Sequence, residues 1–95
     1  VPVGGSVQEA LCISCPKPNY PPIARQAHIQ GTVVLHAIIA KDGTVKELTV
    51  VSGNAMLQGE AERAVRQWRY HPLELNGVAQ EVDTQITVNF TLGGG

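Results

Sequence analysis

Between residues 81 and 92 the chain alternates without a break: Val82, Thr84, Ile86, Val88, Phe90 and Leu92 are interleaved with Asp83, Gln85, Thr87, Asn89 and Thr91. Successive side chains of a β-strand point to opposite faces, so this run predicts a strand with one buried face and one wet face. Such a strand needs a sheet, and the sheet's apolar face needs a covering layer. The run also lacks lysine, proline and glycine, the residues that usually blunt an exposed sheet edge.

The other elements follow from their own patterns. Residues 32–40 are apolar or β-branched on both faces, with Val33, Leu35, Ala37 and Ile39 on one side and Val34, His36 and Ile38 on the other, which predicts a central strand. Asp42-Gly43 is a turn dipeptide and residues 44–51 resume as a strand, giving an antiparallel hairpin. Leu57, Ala61, Ala64, Val65 and Trp68 form the stripe of an amphipathic helix, which Pro72 forbids from continuing. Gly59 lowers the stability of the start of that helix by roughly 0.5–1 kcal/mol relative to alanine. A shorter helix is expected at residues 23–28, opened by Pro21-Pro22, and Asn76-Gly77 predicts a small second hairpin.

The order is helix, strand, strand, helix, strand. It predicts an α+β domain in two layers: a three-stranded antiparallel sheet of order 2-1-3 with both helices packed on one face. The doubly apolar strand then lies in the centre and the last strand lies at an edge. Residues 1–19, with Pro2, Gly4, Gly5, Pro16 and Pro18, are expected to be linker, with at most a short extended piece near residues 7–13. Residues 20–92 are the expected domain, and residues 93–95, all glycine, an expected flexible tail.

At 43% apolar and 16% charged residues, 95 residues are enough for one modest core and too few for two lobes around a cleft. A formal charge of −1 provides no basic stripe for nucleic acid. Catalysis is not expected: Ser6, Ser14 and Ser52 have no evident base, and no paired carboxylates stand at a useful spacing. Cys12 and Cys15 could be a redox pair, half a zinc site or two incidental cysteines, and the incidental reading is favoured. Prolines 16, 18, 21 and 22 leave no helix to lower a thiol pKa, and His28, His36 and His71 are scattered. An oxidising compartment would allow the two thiols to join, within the chain or between chains. No metal or cofactor is expected. Arg63, Arg66 and Arg69 read as a solvated helix face, Trp68 as core, and Tyr20, beside prolines and outside any periodic run, as a candidate contact residue.

The order and spacing of several short features carry a resemblance. They are Tyr20-Pro21 with Ala24 and Ala27, Gly31-Thr32-Val33, Asp42-Gly43-Thr44-Val45, Val51-Ser52-Gly53 before Leu57, then Trp68, Tyr70, Pro72, Asn76-Gly77 and Val88-Asn89-Phe90. Over residues 18–92 the chain resembles the TonB C-terminal domain family. Its Gln58, Gly59 and Glu60 depart from the acidic residue and alanine that many members carry there.

The resemblance implies a periplasmic domain tethered to the inner membrane by a segment upstream of Val1, through which inner-membrane motor proteins would act. It also implies a partner, the N-terminal TonB-box peptide of an outer-membrane transporter, added as a strand to the last β-strand. The site residues carried over are Asn19, Tyr20 and Pro21 beside the edge formed by Thr84, Gln85, Ile86, Thr87, Val88, Asn89 and Phe90. About six main-chain hydrogen bonds at roughly 1 kcal/mol net each, less the ordering of the peptide, make the expected complex micromolar or weaker. Two alternatives accompany this reading: a docking or sensor domain of a membrane-anchored signalling protein or peptidase, and a homodimer formed through the same last strand.

Overall fold

The structure is a computed structural model that describes residues 1–92; the expected tail at 93–95 lies outside the described residues. In chain order the elements are β1 (Pro2–Val3), α1 (Gly5–Glu9), β2 (Cys12–Ser14), α2 (Pro22–Gln26), β3 (Gly31–Ile39), β4 (Val45–Ser52), α3 (Ala55–Arg66), β5 (Arg69–Tyr70), β6 (Leu73–Leu75), β7 (Val78–Gln80) and β8 (Val82–Phe90). The domain is α+β. Its main sheet has four strands in the order β1-β8-β3-β4, one more than the sequence predicts, because β1 adds in parallel to the outer side of β8 at Asp83 and Thr84.

The two apolar faces of β3 place it at the centre, paired antiparallel with β4 on one flank and β8 on the other. Its pairing with β8 is continuous from Gly31 opposite Phe90 to Ile39 opposite Val82. The predicted alternation is observed throughout β8: Val82, Thr84, Ile86, Val88 and Phe90 are buried, while Asp83, Gln85, Thr87 and Asn89 are exposed; Leu92, the last residue of the predicted run, lies beyond the strand and is half-buried. The buried residues join Val33, Leu35, Ala37 and Ile39 of β3, Ala24 of α2, and Leu57, Ala61 and Val65 of α3 in one core. Burying a large aliphatic side chain contributes about 1.5–3 kcal/mol, so this continuous cluster carries most of the fold's stability.

Helix α3 begins earlier than its apolar stripe indicates. The Asn54 side chain accepts a hydrogen bond from the Met56 amide at 2.8 Å, an N-cap worth about 1 kcal/mol that offsets the cost of Gly59. Asn54 follows the strand by two residues and serves as the cap of the helix. Hairpin β6–β7 forms around Asn76 and Gly77, with φ of 53° and 78°, as an Asn-Gly turn requires.

Residues 1–19 depart furthest from expectation. Far from being irregular linker, they supply β1, the single-turn helix α1 and β2, which pairs antiparallel with β5 just after α3. The Leu11 carbonyl accepts from the His71 amide at 2.7 Å, and Cys12 is joined to Cys15 as a disulfide. Neither a redox pair with a following helix nor a zinc half-site describes these cysteines in this structure. The segment therefore wraps from the outer flank of β8 to the end of α3.

The β3–β4 turn fits closely against β5. Gly43 has φ of 90°, and a Cβ there would lie 1.9 Å from the Tyr70 carbonyl oxygen, while the Gly43 carbonyl accepts from the Tyr70 amide at 2.9 Å. Any side chain at residue 43 must break this contact and adopt a strained backbone. We expect Gly43→Ala to destabilise the domain by at least about 2 kcal/mol, measured by urea unfolding, whereas Gly59→Ala should stabilise it.

Candidate functional site: the outer flank of the last strand

Main-chain groups of an antiparallel strand alternate between its two neighbours, so the outward-facing residues of β8 can be read from one known contact. The Asp83 amide donates to the Val1 carbonyl at 2.8 Å, which puts Asp83 on the outer flank and, by alternation, Gln85, Thr87 and Asn89 with it. Thr84, Ile86, Val88 and Phe90 direct their main-chain groups to β3 and their side chains into the core.

The outer flank is only partly open. Asp83 and Thr84 lie beside β1, and the Thr84 hydroxyl donates to the Val3 carbonyl at 2.8 Å. At Gln85 the backbone of Gly5 approaches so closely that a Cβ there would lie 2.7 Å from the Gln85 carbonyl oxygen. Beyond that point no strand of the described residues pairs with the flank, and both main-chain groups of Thr87 and Asn89 face outward. Of the ten residues named from sequence, Thr84 is thus already covered by the chain's own N-terminal segment.

A groove of about 630 Å³ runs along this open stretch from Gln85 to Thr91. Away from β8 its wall is lined by Gly5, Ser6, Gln8 and Glu9 of α1, by the disulfide-bonded Cys12 and Cys15, and by Trp68 and Tyr70. The Trp68 indole N–H donates to the Pro16 carbonyl at 2.9 Å, holding the wall to the end of α3. None of the α1 residues was identifiable beforehand as part of a site. A five-residue helix has no legible periodicity, and its role exists only because tertiary contacts bring it to β8.

The Asn19-Tyr20-Pro21 segment behaves differently from the flank. Tyr20 is half-buried, its hydroxyl donates to the Ile29 carbonyl, and its ring meets Phe90 edge-on with centroids 5.7 Å apart. The Arg25 guanidinium stands 5.4 Å from the same ring, a cation–π contact. Pro21 is buried and precedes α2 as its N-cap. Tyr20 therefore acts here as a clamp between α2 and the end of β8, and only Asn19 of the three is exposed.

On the wet face of the sheet, His36 pairs with the Asp83 carboxylate across β3 and β8, and Thr32 donates to the Asn89 side chain at 2.8 Å. These contacts hold the side chains of Asp83 and Asn89 without engaging the outer main-chain groups of β8. Among the described residues no cluster of three or more His, Cys, Asp or Glu is arranged to hold a metal ion.

Two measurements check this geometry. Burial, reinforced by the charge of Glu9, pushes the Tyr70 phenol up to about 12. A phenol whose folded-state pKa lies above its unfolded value of about 10 stabilises the domain fully below that value. Stability should fall as pH rises from about 10 through 12, and Tyr70→Phe should flatten that decline in an alkaline unfolding series. Replacing Gly5 by valine should push the N-terminal segment off β8, so hydrogen exchange at the Asp83 amide should accelerate while that of the β3–β8 pairs stays slow.

Residues 16–92 match the family described as Gram-negative bacterial TonB protein C-terminal. Protein TonB of Vibrio cholerae is 33% identical over 87 residues, covering 90% of this chain and 36% of that protein. Protein TonB of Xanthomonas campestris pv. campestris is 34% identical over 77 residues, covering 79% of this chain and 34% of that protein. The chain thus spans well under half the length of the curated relatives it matches. In three dimensions it is similar to the solution NMR structure of the Pseudomonas aeruginosa TonB CTD, with a TM-score of 0.74 at 22% identity, covering 88% of this chain and 87% of that chain. That likeness is one of fold, and with the match over residues 16–92 it leads to one conclusion: this chain belongs to the TonB C-terminal domain family.

Proposed function

We propose that this domain is the periplasmic peptide-binding end of an energy transducer, coupling an inner-membrane motor to outer-membrane transporters by β-strand addition. On this reading a segment upstream of Val1 anchors the protein in the inner membrane, and the ligand is the extended N-terminal TonB-box peptide of a transporter. The work done by such a domain is mechanical and it transforms no substrate.

The observation that supports the reading is the stretch from Thr87 to Asn89, whose outward main-chain groups have no strand partner among the described residues and border a groove. An unpaired edge of this kind is the receptor half of a strand-addition complex. Coverage of Asp83 and Thr84 by β1 reduces the number of main-chain bonds available to a ligand. Two outward residues provide about four, each worth roughly 1 kcal/mol net, so affinity for an isolated peptide is micromolar or weaker. A linkage that forms and releases repeatedly is served by such weakness.

The test is an NMR titration with a synthetic peptide of the TonB box of a Gram-negative outer-membrane transporter. The amides of Thr87 and Asn89 should show the largest shifts, those of β4 should not respond, and the dissociation constant should be micromolar or higher. Saturating peptide without shifts in β8 would overturn strand addition. If β8 amides instead shift with protein concentration alone, the edge serves self-association.

A further inference from the structure

One polar side chain in the groove wall is packed into the fold without using its polar atoms. Gln8 is 1% exposed, and neither its carboxamide nitrogen nor its oxygen has a hydrogen-bond partner among the described residues. Leaving both ends of a buried carboxamide unpaired is costly, and an apolar residue of the same length would pack in the same space without that cost. Gln8 is the only buried residue of α1, and it lines the same groove as Gln85, Thr87 and Asn89.

A strand in a groove has two main-chain flanks. If its inner flank pairs with Thr87 and Asn89, its outer flank turns towards α1 and is shielded from water by that wall. Unless the wall provides partners, those outer N–H and C=O groups are themselves left unsatisfied. A carboxamide matches this requirement, because it carries an acceptor oxygen and a donor nitrogen side by side, as a main-chain amide does. Other polar groups lining the groove are less suited: Glu9 provides only acceptors, Lys17 only donors, and Ser6 a hydroxyl whose single oxygen must serve as both, without a donor and an acceptor side by side.

We propose that Gln8 is a ligand-contacting residue of the groove: its carboxamide, sealed from solvent in the free domain, turns towards an extended peptide that has added to β8 and pairs with that peptide's outer main-chain edge. This deepens the proposed function and rests on it. The N-terminal segment, outside the family match at residues 16–92, then contributes a second hydrogen-bonding wall, and the peptide is gripped from both sides. The contact is directed at backbone, so it tolerates many peptide sequences but requires an extended one without proline at the contacted position.

The experiment compares the wild-type domain with Gln8→Met, which keeps the side chain's length and removes its hydrogen bonding, using the same TonB-box peptide. In the wild type, the Gln8 side-chain amide signal should shift together with the Thr87 and Asn89 amides. Gln8→Met should keep or raise Tm and weaken the peptide about fivefold, the loss of one net hydrogen bond. If Thr87 and Asn89 shift but the Gln8 side-chain signal does not, or the variant binds as tightly as wild type, the assignment is wrong. A lowered Tm with unchanged affinity would make Gln8 a structural residue and also overturn it. Absence of shifts at Thr87 and Asn89 in the wild type would remove strand addition itself, and this contact with it.

Discussion

The double pairing of β3 is the constraint from which the rest of the domain follows. Its core-facing residues Val33, Leu35, Ala37 and Ile39 are at most 2% exposed, and its main chain is hydrogen-bonded to β4 on one flank and β8 on the other. With the centre of the sheet filled in this way, β8 is left as a strand with one satisfied flank. Its strict alternation then pins the register, since a slip of one residue would bring Asp83, Gln85, Thr87 and Asn89 into the core. A strand held so firmly on one side presents its other side in a fixed geometry.

An open edge invites unwanted pairing, and proteins usually manage this with lysine, proline or a covering element. This chain covers the first part of the edge with β1 and the close approach of Gly5, and leaves the part beyond Gln85 without a strand partner among the described residues. The covered part is where Thr84 is drawn into contact with Val3, so the two halves of one strand have different chemical characters. The second half carries Thr87 and Asn89, polar on their exposed face and with no strand paired along their flank among the described residues. Partial coverage narrows the surface on which another strand can add without closing it.

Much of the core domain was legible from sequence because its signals are local. The alternation of β8, the two-faced apolar run of β3, the Asp42-Gly43 and Asn76-Gly77 turns and the stripe of α3 each arise within one element. The N-terminal segment was not legible for the opposite reason. Pro2, Gly4 and Gly5 read as breakers, yet Gly5 is needed where a side chain would strike Gln85, and α1 is too short to form without tertiary support. Tyr20 has contacts that its place in the chain does not reveal: its hydroxyl and ring are both engaged, with Ile29, Phe90 and Arg25. The strand half of the candidate site could therefore be named in advance, and its opposing wall could not.

That wall is secured at both ends. At one end β1 pairs with β8, and at the other β2 pairs with β5, where the His71 amide donates to the Leu11 carbonyl and the disulfide closes the loop between Cys12 and Cys15. The groove between these fixed ends is consequently built by the fold itself, and under the proposed strand addition little of the protein would have to be ordered. Since ordering costs commonly consume much of the gross energy of a strand-addition complex, such a groove would allow a ligand with few main-chain bonds to bind at all. A shorter open edge and a fixed wall would then compensate one another: the first limits the number of bonds, and the second lowers the entropy lost in making them.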